Sequence, residues 1–247
     1  TSALVREVPA AAHGTVDDAL LTALAVAVRR LRERRGIDCP ATSVMLEGHG
    51  REEGIAEGAD LSRTVGWFTT RYPVVLDLDG TDYADLPAAV KSVKDQLREI
   101  PDKGIGYGLL RYLNPAIAQR FAELPEPQIA YNNLGRTGMD GTDPADPAWV
   151  PSGETFDQRA AFEPEMPAAA VLTIDVNILD TAAGPQLSAY VGYASRLLDR
   201  DEVDELTGEW VEALTTIAAA ADRDWGLSRA DVPLVDVTRE DLDTFAR

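Results

Sequence analysis

The sequence predicts an α/β fold, a lobe in which helices pack on one mixed sheet. Segments with the 3.6-residue period of helices alternate along the chain with at least four short segments typical of strands. The chain has 247 residues, and its hydrophobic fraction of 45% is enough for one substantial core. Helices and strands intermixed in this way favour an α/β sandwich with the helices against one sheet.

The first predicted helix runs from Thr15 to Arg35, and Gly36 ends it. Its apolar residues recur at steps of three and four and share one face: Val16, Leu20, Leu24, Val28 and Leu31. Thr15 is the expected N-cap, and the acidic first turn and basic last turn both suit the helix dipole. The basic run of residues 29–35 resembles a nucleic-acid patch, but a solvated helix end is the favoured interpretation.

The remaining elements follow from hydrophobic period, β-branched content and the positions of glycine and proline. They are, in chain order, a strand at 42–46, an acidic loop at 52–60, a strand at 65–76, a helix at 86–100 that Pro101 ends, short helices at 109–113 and 115–122, a strand at 128–132, a β-hairpin of 170–178 with 186–193, and a helix at 201–221. Residues 136–168 are rich in glycine and proline and predict a long excursion with little regular structure.

Composition excludes several classes of function. The net charge of −19 makes nucleic acid a poor partner, because phosphate binding needs clustered basic residues. The longest apolar run, Ala19 to Val28, is too short to span a bilayer, so no membrane partner is expected. The single cysteine, Cys39, excludes an internal disulfide framework, is expected to be inert, and fits a cytoplasmic location. No cysteine and histidine spacing matches a zinc site, so no metal is predicted.

The first candidate site follows the strand at 42–46. In an extended chain Glu47, His49 and Arg51 would share one face, while Gly48 and Gly50 leave the other face open to close approach by backbone or ligand. An acid, an imidazole and a guanidinium on one face can transfer protons or hold an anion. The alternative is a glycine-rich strand end with a surface ion pair between Glu47 and Arg51.

Further candidates lie at the ends of two predicted strands. Arg63 stands at the entry to a strand rich in aromatic residues and could carry charge into a cleft. Asn132 and Asn133 end the strand at 128–132, where their amides could bind a substrate amide. Simple turn chemistry is the alternative for both asparagines, because Asn tolerates the left-handed conformation.

Residues 103–108 hold three alternating glycines directly after a predicted helix. The pattern can be mistaken for a phosphate loop, but such loops follow a strand and contain Gly-Lys-Ser/Thr. A tight loop at which the backbone approaches another element is therefore the better interpretation.

Four segments in this order resemble the C-terminal lobe of an epimerization domain of a nonribosomal peptide synthetase. They are Glu-Gly-His-Gly-Arg-Glu at 47–52, Arg-Thr-Val-Gly-Trp-Phe-Thr-Thr at 63–70, Lys-Gly-Ile-Gly-Tyr-Gly at 103–108 and Tyr-Asn-Asn-Leu-Gly at 131–135. The resemblance covers the whole chain, 1–247, with 136–168 as the loop that crosses between lobes and 228–247 as the exit linker. It implies a fold similar to chloramphenicol acetyltransferase.

The resemblance also implies a reaction. Such domains invert the α-carbon of an aminoacyl or peptidyl residue that is held as a thioester on the phosphopantetheine arm of a carrier domain. It implies Glu47 as one proton-transfer group and a histidine of the N-terminal lobe as the other. It places Arg63 and Asn132 near the site as substrate-binding residues. His49 and Asn133 are further substrate-binding candidates, although Asn133 departs from the family pattern, in which a tyrosine is commoner.

This chain has no His-His-x-x-x-Asp segment, and its two histidines, His13 and His49, lie far apart. The expectation is therefore one half of an active site, inactive by itself, in a chain whose first residue Thr1 fits an excised or processed fragment. Its expected partners are the missing N-terminal lobe, a loaded carrier domain and neighbouring synthetase domains, with no cofactor bound directly. Two alternatives stay open: a condensation-type lobe that forms amide bonds, and a non-catalytic module that docks carrier domains.

Overall fold

Five strands form one mixed sheet in the computed structural model, which describes residues 1–55, 57–137, 165–181 and 183–233. The strands are β1 (Ala41–Gly48), β2 (Thr70–Asp77), β3 (Ile129–Thr137), β4 (Leu172–Thr181) and β5 (Gly184–Tyr193). Their order is β2-β1-β3-β4-β5. The three central strands are parallel, and each edge strand is antiparallel to its neighbour, so the predicted mixed sheet is confirmed.

Four long helices and several short ones connect the strands. The long helices are α1 (Ser2–Ala12), α2 (Val16–Arg34), α3 (Leu86–Arg98) and α6 (Arg200–Ala219). Between α3 and β3 lie α4 (Ile105–Gly108), a π-helical turn (Leu109–Leu113) and α5 (Pro115–Ala122), and 3-10 turns occur at Glu53–Ile55, Pro101–Gly104 and Arg229–Asp231. The predicted helices, the β-hairpin and the turn at Gly36 are thus confirmed within a few residues of their expected ends.

Helix α2 is the centre of the core. Residues 18–28 are all buried, so the helix is enclosed on every side rather than amphipathic along this stretch. Its N-terminus is held by the predicted cap Thr15, which forms a capping box with Asp18. Arg98 of α3 also donates two hydrogen bonds to the fully buried Asp18 carboxylate, at 3.0 and 3.2 Å. These contacts join the start of α2 to the end of α3.

The basic end of α2 is paired with acidic side chains of α6. Arg30 lies 3.2 Å from Glu209, and Arg34 contacts both Glu205, at 2.9 Å, and Glu209, at 2.8 Å. Arg35 reaches Glu202 at 3.0 Å. Because these guanidinium groups are occupied within the fold, the run supports helix packing and offers no open patch for phosphate groups.

Two predicted strand boundaries differ from the structure, and one helix is not predicted. The strand expected at 65–76 begins only at Thr70, because its partner β1 ends at Gly48 and leaves the preceding residues unpaired. Val65 and Trp67 are consequently 98% and 92% exposed. Strand β3 continues to Thr137, five residues beyond its predicted end. No helix is predicted for residues 2–12, yet α1 forms there, and packing of its buried face offsets the hydrogen bond that Pro9 cannot donate.

The two long predicted connections are described in part. Within the excursion at 136–168, residues 136 and 137 belong to β3, and residues 138–164 lie outside the described residues. Within the exit linker at 228–247, the turn Arg229–Asp231 is bound to α3, and residues 234–247 lie outside the described residues. Ser228 donates from its hydroxyl to Asp95 at 2.5 Å, and Lys94 contacts Asp231 at 2.7 Å.

Two negative findings concern the described residues alone. No group of three or more His, Cys, Asp or Glu side chains there is placed to hold a metal ion. No single helix in that part of the chain is long and apolar enough to cross a membrane. Helices α1 and α2 satisfy the length and composition criteria only when combined, and they are bent by 99°.

Candidate functional site

One face of the sheet packs on the helices, and the other carries a line of polar side chains. Glu47 pairs in register with Arg71, Asn132 with Asp175, and Asp175 with Tyr190. Since Leu46 pairs with Tyr131, Glu47 and Asn132 are the next residues of adjoining strands. Strand alternation puts all five side chains on the face opposite the core. This polar row, which crosses every strand, lines an open cavity of about 500 Å³.

Glu47 lies in the polar row with one cationic partner. Its carboxylate is 3.2 Å from the Arg71 guanidinium of β2, and the two side chains are 28% and 45% exposed. The alternative of an ion pair with Arg51 is therefore wrong. A carboxylate that is oriented by a neighbouring cation and open to a cavity can accept or return a proton from a bound molecule.

His49 and Arg51 do not share the face of Glu47, and that prediction is wrong. Strand β1 ends at Gly48, and the chain turns at Gly50, whose φ is +66°. A Cβ at Gly50 would lie 1.6 Å from the Phe68 carbonyl oxygen, which is the close backbone approach expected of these glycines. The loop thus leaves the sheet immediately after Glu47.

The loop beyond Gly50 is tied together by its own side chains. His49 accepts a hydrogen bond at Nδ1 from the Arg51 backbone, at 2.9 Å, and its Nε2 lies 3.3 Å from Glu52. The Arg51 guanidinium lies 4.5 Å from the Phe68 ring centre. His49 is 65% exposed, and Arg63 is exposed on the loop before β2. A role for His49 or Arg63 in substrate binding stays a prediction.

Asn132 and Asn133 point to opposite faces of β3. Asn132 faces the cavity and forms a hydrogen bond with Asp175, while burial raises the pKa of the Asp175 carboxyl. Asn133 faces the helices, where it donates to the Asp17 carboxylate at 2.8 Å and accepts from the Gly135 backbone at 2.8 Å. Only Asn132 therefore joins the polar row, and we leave Asn133 out of the proposed site.

The cluster around Asn133 lies between the sheet and α2, where Tyr131 is buried and Asn133 and Asp17 are half-buried. Tyr131 donates its hydroxyl to the same Asp17 oxygen, at 2.9 Å. Burial raises the pKa of Asp17, although the hydrogen bonds from Asn133 and Tyr131 oppose that change. Burial and the Asp17 charge also hold the pKa of Tyr131 well above its ordinary value. The ionised form of Asp17 is thus disfavoured in the folded chain.

Replacing Asp17 with Asn should raise the free energy of unfolding at neutral pH. A carboxyl whose folded pKa is raised contributes stability fully below its unfolded pKa, here 3.8, and loses it as pH rises through the folded value. An amide oxygen accepts both hydrogen bonds without carrying that charge. Denaturant unfolding should therefore separate the variant from wild type at neutral pH and bring them together below pH 3.8. The same change at the exposed Asp222 is the control, and an unchanged or lower neutral-pH stability for Asp17→Asn would contradict this account.

Gly104 makes the close approach that the sequence predicts for residues 103–108, whereas Gly106 and Gly108 lie in the short helix α4. Gly104 has φ of +77°, and a Cβ there would lie 2.1 Å from the Tyr72 ring. The loop therefore packs directly against β2, and Lys103 also contacts Glu52 at 2.8 Å.

Comparison with known proteins places the chain in a family. The sequence profile described as the condensation domain matches residues 1–225. The chain belongs to the condensation-domain family. Among curated relatives, tyrocidine synthase 2 of Brevibacillus parabrevis is 35% identical over 221 residues, which cover 88% of this chain and 6% of that protein. Bacitracin synthase 3 of Bacillus licheniformis is 44% identical over 140 residues, 57% of this chain and 2% of that protein.

Solved structures share the fold of this chain. The epimerization domain from the third module of tyrocidine synthetase B is 33% identical, with a TM-score of 0.70, over 89% of this chain and 45% of that one. A four-domain nonribosomal peptide synthetase bound to AMP and glycine matches with a TM-score of 0.62 at 16% identity, over 91% of this chain and 16% of that one. The expected fold, similar to chloramphenicol acetyltransferase, is confirmed. This condensation-family chain spans less than half of the epimerization domain that it resembles.

Sequence reasoning found Glu47 and Asn132 but missed three members of the polar row. They are Arg71, Asp175 and Tyr190. Asp175 and Tyr190 face each other in the predicted hairpin, but that β4 adjoins β3 and β2 adjoins β1 becomes known only with the strand order. Strand alternation gives the face of each side chain, but it does not say which strands adjoin. The one signal in the sequence that could have identified them is a polar side chain within each of the three predicted strands.

Proposed function

We propose that this lobe is half of an epimerization site that converts an L-aminoacyl or peptidyl residue to its D form while a carrier domain holds it as a thioester. The observation that carries the proposal is Glu47, a partly exposed carboxylate in an open cavity, oriented by Arg71 at 3.2 Å. The 33% identity to an epimerization domain, across 89% of this chain, supports the same reaction.

Inversion requires proton removal from one side of the α-carbon and proton return on the other. The thioester carbonyl acidifies the α-proton, and the Glu47 carboxylate serves as the group on one side. Asn132, in the adjoining strand, offers an amide that can hydrogen-bond a carbonyl of the substrate. The row's other carboxylate, Asp175, lies on the same face as Glu47, so the opposite group must come from elsewhere.

Neither histidine of this chain is positioned to be that opposite group. His13, at the end of α1, contacts Asp224 at 3.1 Å, and His49 lies in the loop that continues from Glu47. We infer that a histidine of a His-His-x-x-x-Asp segment in an N-terminal lobe supplies it, and that this lobe is inactive alone. The substrate then lies between the two lobes.

The proposal defines the partners of the lobe. The substrate arrives on a carrier domain, whose phosphopantetheine is a handle rather than a cofactor bound by this chain. Proton transfer by carboxylate and imidazole needs neither a metal nor a soluble cofactor. The remaining partners are the N-terminal lobe and the neighbouring domains of a cytoplasmic synthetase.

The test is α-deuterium washout from an L-aminoacyl thioester on a carrier domain. It uses this chain alone and the complete domain, meaning this lobe joined to an N-terminal lobe with the His-His-x-x-x-Asp segment. We expect exchange and D-aminoacyl product only with the complete domain. Exchange by the chain alone would refute the half-site, and no exchange by the complete domain would refute the epimerase.

The second candidate is a condensation-type lobe that joins two carrier-bound substrates by an amide bond. The specific observation in its favour is the match of the condensation-domain profile to residues 1–225. Product analysis of the complete domain with two loaded carrier domains separates the candidates, because one forms a new amide and the other changes the α-configuration. A module that only docks carrier domains would do neither, and would tolerate loss of Glu47 and Arg63.

A further inference from the structure

A second and larger cavity adjoins the polar row. It has a volume of about 610 Å³ and lies between the ends of β1 and β2 and the segment formed by α4 and the π-helical turn. Most of its wall is apolar: Met45, Ile55, Ile105, Leu109 and Leu113. Arg71 and Ala169 line both cavities, so the two spaces meet beside the Arg71–Glu47 ion pair. A molecule that reaches Glu47 can therefore extend into the apolar cavity.

The aromatic wall of this cavity is held in place by a largely enclosed cation. Arg111, whose side chain is 17% exposed, donates to the Tyr107 hydroxyl at 2.9 Å and pairs with Glu126. Its guanidinium lies 5.9 Å from the Tyr107 ring centre and 5.6 Å from that of Tyr112. Tyr107 also packs against Phe121, with ring centres 5.4 Å apart. Such support gives a preformed wall rather than a loose surface loop.

Charge in the cavity wall is already compensated. Its two charged side chains are Arg71, which pairs with Glu47, and Glu126, which pairs with Arg111. A charged occupant would lack a counter-ion there, while an apolar one would bury its surface against aliphatic and aromatic side chains. The exposed Tyr112 and Leu113, at 73% and 74%, leave a broad entrance for such a group.

We propose that this cavity binds the large apolar or aromatic side chain of the residue whose α-carbon is presented to Glu47. The inference rests on the proposed function and names its substrate class: aminoacyl or peptidyl thioesters ending in a residue such as leucine or phenylalanine. The Arg71–Glu47 pair lies where the two cavities meet, so the α-carbon can lie beside Glu47 while the side chain bonded to it extends into the apolar cavity.

Two glycines of α4 provide a matched pair of variants. Gly106 and Gly108 are both half-buried, and a Cβ on either meets no atom within 4 Å. Gly108 has ordinary helical angles, with φ of −63° and ψ of −38°, and it lines the cavity, whereas Gly106 does not. Gly108→Leu should therefore fill the cavity without strain, and Gly106→Leu is the control for any effect on the segment itself.

The experiment compares α-deuterium washout by the complete domain from phenylalanyl and alanyl thioesters on the same carrier domain. Wild type should prefer the phenylalanyl substrate in kcat/KM by about tenfold or more. In Gly108→Leu, kcat/KM for the phenylalanyl substrate should fall until the preference is lost, while kcat/KM for the alanyl substrate should change by less than about twofold. Gly106→Leu should keep the preference of wild type. Equal loss on both substrates, or no preference in wild type, would overturn the assignment and would point to a cavity that the partner lobe covers.

A binding measurement separates this inference from the proposed reaction. Calorimetry with the complete domain would compare phenylalanyl and alanyl pantetheine amides, which cannot react. If washout is absent but the phenylalanyl amide binds about tenfold more tightly, and only Gly108→Leu removes the difference, the cavity assignment stands and the epimerase fails. Equal affinity for both amides would refute the cavity assignment whatever the reaction.

Discussion

Replacing Glu47 with Gln in the complete domain should lower the rate of α-proton exchange by at least about 100-fold. Glutamine has the shape of glutamate and keeps an oxygen that can accept a hydrogen bond from Arg71, so the cavity should be preserved. It cannot exchange a proton with the α-carbon near neutral pH. The measurement is α-deuterium washout from the loaded carrier domain, with carrier affinity determined in parallel by calorimetry.

The control for Glu47 is the same chemical change away from the cavity. Glu57 is exposed on the loop between β1 and β2, and Glu57→Gln removes one negative charge there. The exchange rate of Glu57→Gln should stay within about twofold of wild type, because an exposed charge on that loop is screened by salt. A near-normal rate for Glu47→Gln, with the carrier still bound, would remove Glu47 from the chemistry and favour the condensation or docking alternatives.

Replacing Lys94 with Met should lower the free energy of unfolding by about 3 kcal/mol. Lys94 is fully buried, and its ammonium donates to the Ala12 carbonyl and to the Asp231 carboxylate, each at 2.7 Å. Methionine fills the same space but leaves the Ala12 carbonyl without the ammonium and the Asp231 carboxylate with only its hydrogen bonds from Ser228. Denaturant unfolding of the chain measures the change, and a loss below about 1 kcal/mol would mean that water or a local shift replaces the ammonium.

A double variant tests the reason for that loss. If an unpaired Asp231 carboxylate is the main cost, Asp231→Asn should recover part of the stability of Lys94→Met, although it destabilises wild type. Burial alone would raise the pKa of Asp231, but Lys94 and the hydrogen bonds from Ser228 outweigh it and lower the pKa. The pair's contribution is therefore present above pH 3.8 and lost as pH falls through the folded value. Lys94→Met should show less of this acid dependence.

The sequence predicts elements whose signals are local. The helix from Thr15 has its own cap and period, and the β-hairpin has two strands separated by a short turn, so neither needs knowledge of distant residues. Helix α1 lacks such a signal, because Pro9 argues against a helix and only the burial of residues such as Leu4 and Val8 in the core compensates.

The candidate site is predicted less completely than the fold, because it depends on strand order. Glu47 and Asn132 were found at apparent strand ends, but β3 continues past Asn132 and therefore turns Asn133 toward Asp17. Arg71 and Asp175 reach the same cavity through pairing between strands that are distant in sequence. Residue type and spacing identify candidate residues along one strand. A site that spans several strands can be identified only when the order of the strands is known.

The turn at Arg229–Asp231 bears on how this lobe can be fused to another domain. A chimera joined before Ser228 would give Lys94 and Asp95 of one parent the turn of another, and would risk leaving a buried ammonium without its carboxylate. A junction placed after Asp231 keeps the turn and its helix from the same parent. A junction that joins this lobe to another domain is therefore best placed after Asp231, beyond the end of the last long helix at Ala219.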